Sequence, residues 1–168
     1  MQILRQIIIF AFMKIVLLTV GKTDISWVGE GLQVYASRLR HYAKFEVKEI
    51  PELKNASSLS EEQIKTKEGL SILKESAGME IILLDEHGKE YRSIEFAGWL
   101  QDRLNRGGKD ICFVIGGAYG FSAEVYSVAS GKISLSKMTF SHQMVRTIFA
   151  EQLYRAFTII KGEPYHHE

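Results

Sequence analysis

The chain of 168 residues carries 21 Lys or Arg against 20 Asp or Glu, a net charge of +1, with 46% hydrophobic and 24% charged residues. That balance excludes a disordered chain and a strongly basic nucleic-acid binder, so a polyanionic partner has to be met by a local patch or by a surface pooled between subunits. A single cysteine, Cys112, excludes an internal disulfide; it lies in the apolar run ICFVI and reads as a small core residue rather than a nucleophile.

The N-terminal stretch MQILRQIIIFAFMKIVLLTVGK superficially suggests a signal peptide or membrane span. Lys14 interrupts the run, leaving segments too short to cross a bilayer, and no A-x-A-like cleavage site follows. Met13 reads as an alternative start. Residues 1–12 are therefore expected to be an N-terminal extension, with a short export or anchoring signal as the alternative, and 13–168 a single domain. A cytoplasmic chain without a membrane partner is expected.

Beyond Met13 the pattern alternates in type. Residues 15–20, IVLLTV, form a continuous apolar run, as in a strand covered on both faces. Trp27, Leu32, Tyr35, Leu39 and Tyr42 predict a helix over 25–42. FEVKEI, 45–50, alternates like a strand and stops at Pro51. Ser58 with Glu61 fits a capping box opening a helix to about Ser76. EIILL, 80–84, predicts a third strand and DEHGKE a turn. A helix is predicted over 93–106, ending at Gly107-Gly108. DICFVI, 110–115, is a fourth strand, Gly116, Gly117 and Gly120 a tight loop, and Ser122 the cap of a short helix over 123–130. A short strand, 133–136, precedes a final helix, 142–160. The alternation predicts an α/β fold, a mostly parallel sheet with flanking helices.

Three stretches suit chemistry. VIGGAYGFS, 114–122, places glycines directly after a buried strand, where backbone N–H groups approach a ligand closely. The spacing matches neither the dinucleotide G-x-G-x-x-G nor a P-loop, and a plain tight turn is the competing reading. LSKMTF, 135–140, is too polar to be a buried strand throughout. As an extended loop it offers backbone groups to a purine edge, with Leu135, Met138 and Phe140 as apolar walls; a strand-to-helix connector is the alternative. His142 and Arg146 then stand four apart, on one helical face, suited to a phosphate or oxyanion. The tail KGEPYHHE is unusually rich in Tyr and His, although two adjacent His without a further ligand at metal spacing assign no metal.

In combination, FVIGGAYGFS, LSKMTFSHQMVRTIFAEQLYRAF and the terminal GEPYHHE resemble the bacterial ribosomal RNA large-subunit methyltransferase H family, of the SPOUT class, and the likeness runs from Met13 to the end. The resemblance implies a SPOUT-like fold with a C-terminal trefoil knot and a homodimer. It implies an enzyme that methylates N3 of a pseudouridine in large-subunit ribosomal RNA using S-adenosyl-L-methionine; the sequence leaves open whether free RNA or the assembled ribosome is bound, and the net charge of +1 favours a composite surface on the ribosome. It also assigns Leu84, Gly116 and the segment Leu135, Ser136, Lys137, Met138, Thr139 and Phe140 to the cofactor. Two departures stand out: Ser141 where many relatives carry Pro, which affects loop stiffness, and His167 where many carry Lys or Arg, which replaces a permanent cation with a group mostly neutral at pH 7.

The chemistry of such a reaction assigns roles to residues. An imide N3–H is a poor nucleophile until deprotonated, so the site has to take up a proton and favour the oxyanion that develops. Arg146 suits the second task, His142 or His166 the first, and Tyr165 suits stacking on the base. A nucleotide-binding oxidoreductase lacks support, since Pro51 follows Ile50 where an acidic residue is wanted. A non-enzymatic RNA-binding or ribosome-assembly module stays open, and cofactor affinity separates it from the enzyme.

Overall fold

The structure, a computed structural model, describes residues 13–167. The expected extension, residues 1–12, lies outside the described residues. Five strands form one parallel sheet: β1 (Lys14–Val20), β2 (Lys44–Ile50), β3 (Glu80–Glu90), β4 (Ile111–Ile115) and β5 (Gly131–Ser134), in the order β2-β1-β4-β3-β5. The α/β architecture with flanking helices is as the alternation predicts.

The period-2 geometry of a strand explains why β1 and β4 are apolar throughout. Ile15, Leu17, Ile111 and Phe113 enter the core on one side of the sheet, with helices α1 (Ser26–Leu39), α3 (Ser93–Arg106) and α5 (Met144–Lys161). Val16, Leu18, Cys112 and Val114 enter the core on the other, with α2 (Glu61–Glu75) and α4 (Ala123–Val128). Each fully buried aliphatic or aromatic side chain contributes about 1.5–3 kcal/mol, against about 1 kcal/mol for a helix cap, so the two cores dominate. The cap of α2 is nonetheless well made. It is Ser60 with Gln63, not Ser58 with Glu61: the Gln63 N–H donates to Ser60 Oγ and the Ser60 N–H to Gln63 Oε1. The spacing was legible, but the pair sits two residues later.

Among the boundaries that differ from expectation, three shape the carboxyl edge of the sheet. β3 does not end in a turn at residue 85. It pairs with β5 through Leu84, leaves the ladder for residues 85–88 and rejoins at Lys89, so that Ile133 faces both Leu84 and Lys89. Gly88 permits this, because a Cβ there would lie 2.5 Å from the Ile133 carbonyl carbon. β5 occupies 131–134 rather than 133–136, and α5 starts at Met144, so residues 135–143 form an irregular bridge. In a parallel sheet all strand C-termini lie along one edge. The loops after β1, β3, β4 and β5 therefore gather there.

Candidate active site

A cleft of about 670 Å³ opens at this edge, between the excursion 85–87, the glycine loop 116–121 and the bridge 134–142. The size suits a nucleoside-sized ligand. Apolar walls come from Leu84, Ile115, Ile133 and Leu135. Gly116 passes close to the Phe121 ring, whose Cε1 lies 3.1 Å from where a Cβ would stand, so a branched side chain there is not accommodated.

The bridge is shaped by its own serines. Ser134 Oγ donates to the Ser136 carbonyl at 2.8 Å, and the Met138 N–H donates to Ser136 Oγ at 2.9 Å. Thr139 Oγ1 donates to Glu86 Oε2 at 3.0 Å, tying the bridge to the β3 excursion. The excursion itself is held by Asp85, which accepts from Tyr126 Oη at 2.5 Å and from the His87 N–H at 2.8 Å. Burial pushes the Asp85 carboxyl up, but the bonds from Tyr126 and His87 outweigh it and hold the group below the usual range. Burial and the same carboxylate push the Tyr126 hydroxyl up to about 12.

Of the cofactor residues expected from the sequence, Leu84, Gly116, Leu135, Ser136, Met138, Thr139 and Phe140 line the cleft, while Lys137 is exposed beside it. Met138 is 77% exposed, an apolar side chain at the cleft mouth rather than in a core. The Met138 N–H is already used by Ser136, so not every backbone donor of the bridge faces a ligand.

The expected catalytic residues divide. His142 is exposed and lines the cleft. Arg146 does not line it: the side chain is fully buried. The guanidinium donates to the Val20 carbonyl at 2.9 Å, the Gly21 carbonyl at 3.1 Å, Thr23 Oγ1 at 2.8 Å and the His142 carbonyl at 2.9 Å. Burial pulls its pKa down, with Glu49, Asp24 and Glu52 acting in the opposite sense. The two residues are thus linked through a backbone carbonyl, not stacked as two cations. The helix start explains this, because His142 precedes α5 instead of occupying its first turn.

Tyr165 and His166 are also away from the cleft. Tyr165 Oη donates to Glu151 Oε1 at 3.1 Å, and its ring packs edge-on against Tyr154 at 4.7 Å. Arg155 lies 4.8 Å above the Tyr165 ring and pairs with Glu151 at 2.6 Å, with His166 Nδ1 3.3 Å from Arg155 Nη1. The tail thus folds back onto α5, about 10–17 Å along its axis from Met144. Burial, followed by the hydrogen bonds to Tyr35 and Glu151, pushes the Tyr165 hydroxyl up.

Sequence reasoning missed Gln143. It is buried, accepts from the Asp24 N–H at 3.2 Å and donates to the Lys22 carbonyl at 2.8 Å. Thr147 adds a bond to the Val28 carbonyl at 2.8 Å. Gln143 and Arg146 fasten the start of α5 to the end of β1 and the loop after it, and Thr147 fastens it to α1. A polar residue at a buried helix start was the available signal. Among the described residues no group of three or more His, Cys, Asp or Glu is placed to hold a metal, and no helix is long and apolar enough to cross a membrane.

Comparison with known proteins bears on this site. Residues 13–166 match the family model described as predicted SPOUT methyltransferase. A protein of Parabacteroides distasonis called ribosomal RNA large subunit methyltransferase H is 54% identical over 157 residues, covering 93% of this chain and 100% of that one. The protein of the same name from Christiangramia forsetii is 54% identical over 156 residues, covering 92% and 99%. Among solved structures, a probable methyltransferase from Bordetella pertussis Tohama I is similar in fold, with a TM-score of 0.54 at 12% identity, over 90% of this chain and 98% of that one.

Proposed function

Because the chain belongs to the SPOUT methyltransferases, and among them to the ribosomal RNA large subunit methyltransferase H family, we propose that it is an S-adenosyl-L-methionine-dependent methyltransferase of large-subunit ribosomal RNA acting on N3 of a pseudouridine. The single observation that carries the reading is the cleft: all the expected cofactor residues but Lys137, 56 positions apart at their extremes (Leu84 and Phe140), converge on one cavity with His142 at its rim.

The residues present fit S-adenosyl-L-methionine. Leu84, Ile115, Ile133 and Leu135 give an adenine-sized apolar slot, Gly116 leaves room for close backbone approach, and the bridge serines and Thr139 supply polar groups around it. When bound, the cofactor supplies an electrophilic methyl group. The rest falls to the chain. His142, at the open end of the cleft, accepts the N3 proton. Arg146 acts through His142 and not on the acceptor: its bond to the His142 carbonyl holds that corner against the β1 loop.

Tyr165 and His166 lie too far along α5 to meet His142 within one subunit. In a homodimer the tail of one subunit reaches the cleft of the other, and there Tyr165 stacks on the base while His166 stands as the alternative proton acceptor. The assembled ribosome in the cytoplasm is the expected substrate, since a +1 chain has little charge of its own to grip free RNA. The C-terminal trefoil knot of the family belongs to the same reading, supported by the close seating of residues 131–140 on 84–90.

The test is paired. Calorimetry is expected to show binding of S-adenosyl-L-methionine and none of nicotinamide dinucleotides. Mass spectrometry of ribosomal RNA from cells with and without the gene is expected to show loss of one methylpseudouridine. His142→Asn is expected to keep cofactor affinity and lower single-turnover transfer by about two orders of magnitude. Cofactor binding with no change in the RNA would leave the fold reading and defeat the substrate.

A further inference from the structure

The buried position of Arg146 leaves the acceptor side of the cleft without the cation assigned to it from sequence. Lys22, in the loop after β1, is a cation beside the His142 corner and outside the cleft lining itself. The loop after β1 follows the strand that pairs with β4, Thr19 against Ile115, so it is next to the glycine loop along the sheet edge. It is also fastened to the residues just after His142.

Each residue of that loop from Gly21 to Asp24 has at least one bonded backbone group. The Gly21 N–H donates to the Ile50 carbonyl at 2.8 Å and its carbonyl accepts from Arg146 at 3.1 Å. The Lys22 carbonyl accepts from Gln143 at 2.8 Å. The Thr23 N–H donates to Glu49 Oε1 at 2.8 Å, and the Asp24 N–H to Gln143 Oε1 at 3.2 Å. Gly21 turns the chain at φ 77°, which a glycine adopts without strain. The loop is thus rigid in its backbone while the Lys22 side chain is exposed and makes no ion pair among the described residues. The fixed loop holds the Lys22 backbone one residue from the rim histidine, and only side-chain freedom is lost when the ammonium engages a ligand.

We propose that Lys22 binds a phosphodiester of the RNA strand that carries the acceptor base, and so sets the register of that strand over His142. The inference rests on the ribosomal RNA reading above. A phosphate is the partner because an exposed, flexible ammonium is a point charge, suited to a mobile anion and not to the planar edge of a base. The carboxylates nearby do not cancel it in equal measure. Glu49 is held by the Thr23 N–H and lies 3.8 Å from Arg146, and Glu52 lies against Gly21, while Asp24 has no cationic partner among the described residues; all three carboxylates are exposed. Those carboxylates weaken indiscriminate anion binding, which favours a strand already placed by the ribosome.

The experiment measures equilibrium affinity for ribosomes from a strain lacking the gene, across 50–200 mM salt, with single-turnover transfer on the same samples. Lys22→Gln is expected to weaken ribosome binding roughly 3–10-fold and to lower the salt slope by about one, because one counterion fewer is released. Its affinity for S-adenosyl-L-methionine is expected to match the parent, and Lys22→Arg to restore both ribosome affinity and slope. A merely structural role would not move the slope. Parent affinity and slope in Lys22→Gln would overturn the proposal, as would an equal loss of cofactor affinity. If the parent binds ribosomes yet leaves pseudouridine unmodified, the substrate reading fails, while the ratio of affinities still decides Lys22.

Discussion

Arg146 Nη2 donates to the Val20 carbonyl at 2.9 Å, across 126 positions of sequence. This bond and its companions to Gly21, Thr23 and His142 make one side chain the joint between the end of the first strand, the loop after it and the corner that presents His142. The residue that looks most like a free catalytic cation in the sequence is a buried clamp in the fold.

Arg146→Ala is therefore expected to destabilise the protein by about 2–4 kcal/mol, since it strands several buried carbonyls without donors. Arg146→Lys recovers little of this, because a point charge cannot serve four acceptors in a plane. Thermal unfolding checks the expectation. A variant with parental Tm and slowed transfer would return Arg146 to the acceptor site.

Gly88→Ala is expected to cost at least tenfold in affinity for S-adenosyl-L-methionine and to lower Tm by several degrees. The added Cβ would lie 2.6 Å from the Ile133 nitrogen and 2.7 Å from the Ser134 nitrogen, both backbone atoms that cannot rotate away. Gly98→Ala in α3, where nothing lies within 4 Å of the new atom, is the matched control and is expected to stabilise by up to about 1 kcal/mol. Calorimetry and melting on both variants separate a local clash from a general effect of alanine.

Glu68 gives a pH dependence. Burial, with a contribution from Glu52, raises its carboxyl pKa above the ordinary value of 4.5, and Oε2 is buried without a hydrogen-bond partner. A raised folded pKa means that the stabilising contribution is complete below the unfolded value and is lost as pH rises through the folded one. Glu68→Gln removes that loss. Its Tm is expected to exceed the parent's by about 1–3 °C at pH 7, with the difference vanishing near pH 4. A constant difference across that range would show that ionisation is not the cause.

Cys112 is fully buried, and burial pushes its thiol up to about 12, with Lys48 acting weakly in the other direction. A thiol-specific chromogenic reagent at pH 8 is expected to label it only after denaturant unfolds the chain. Stoichiometric labelling of the native protein on the timescale of mixing would contradict the buried position between β1 and β3.

What the sequence determined by itself is whatever local pattern encodes. The continuous apolar runs IVLLTV and ICFVI specify central strands because both faces of those strands are covered, and the 3.6-residue period of 93–106 specifies α3 to the residue. The proposed cofactor residues stood out in two separate stretches, 114–122 because glycines follow directly on a buried strand and 135–140 because Ser136 and Lys137 conflict with a strand buried throughout. Tertiary structure decided the rest. No periodicity marks Gln143 or Arg146 as partners of Lys22 and Val20, since their bonds join residues more than a hundred positions apart and exist only once α5 packs beside β1. The excursion at 85–88 read as a turn because local chemistry favours one there, while rejoining the ladder depends on β5 lying alongside. The tail's placement on α5 was likewise invisible, because Tyr165 finds Glu151 and Tyr154 only when the chain reverses at Gly162.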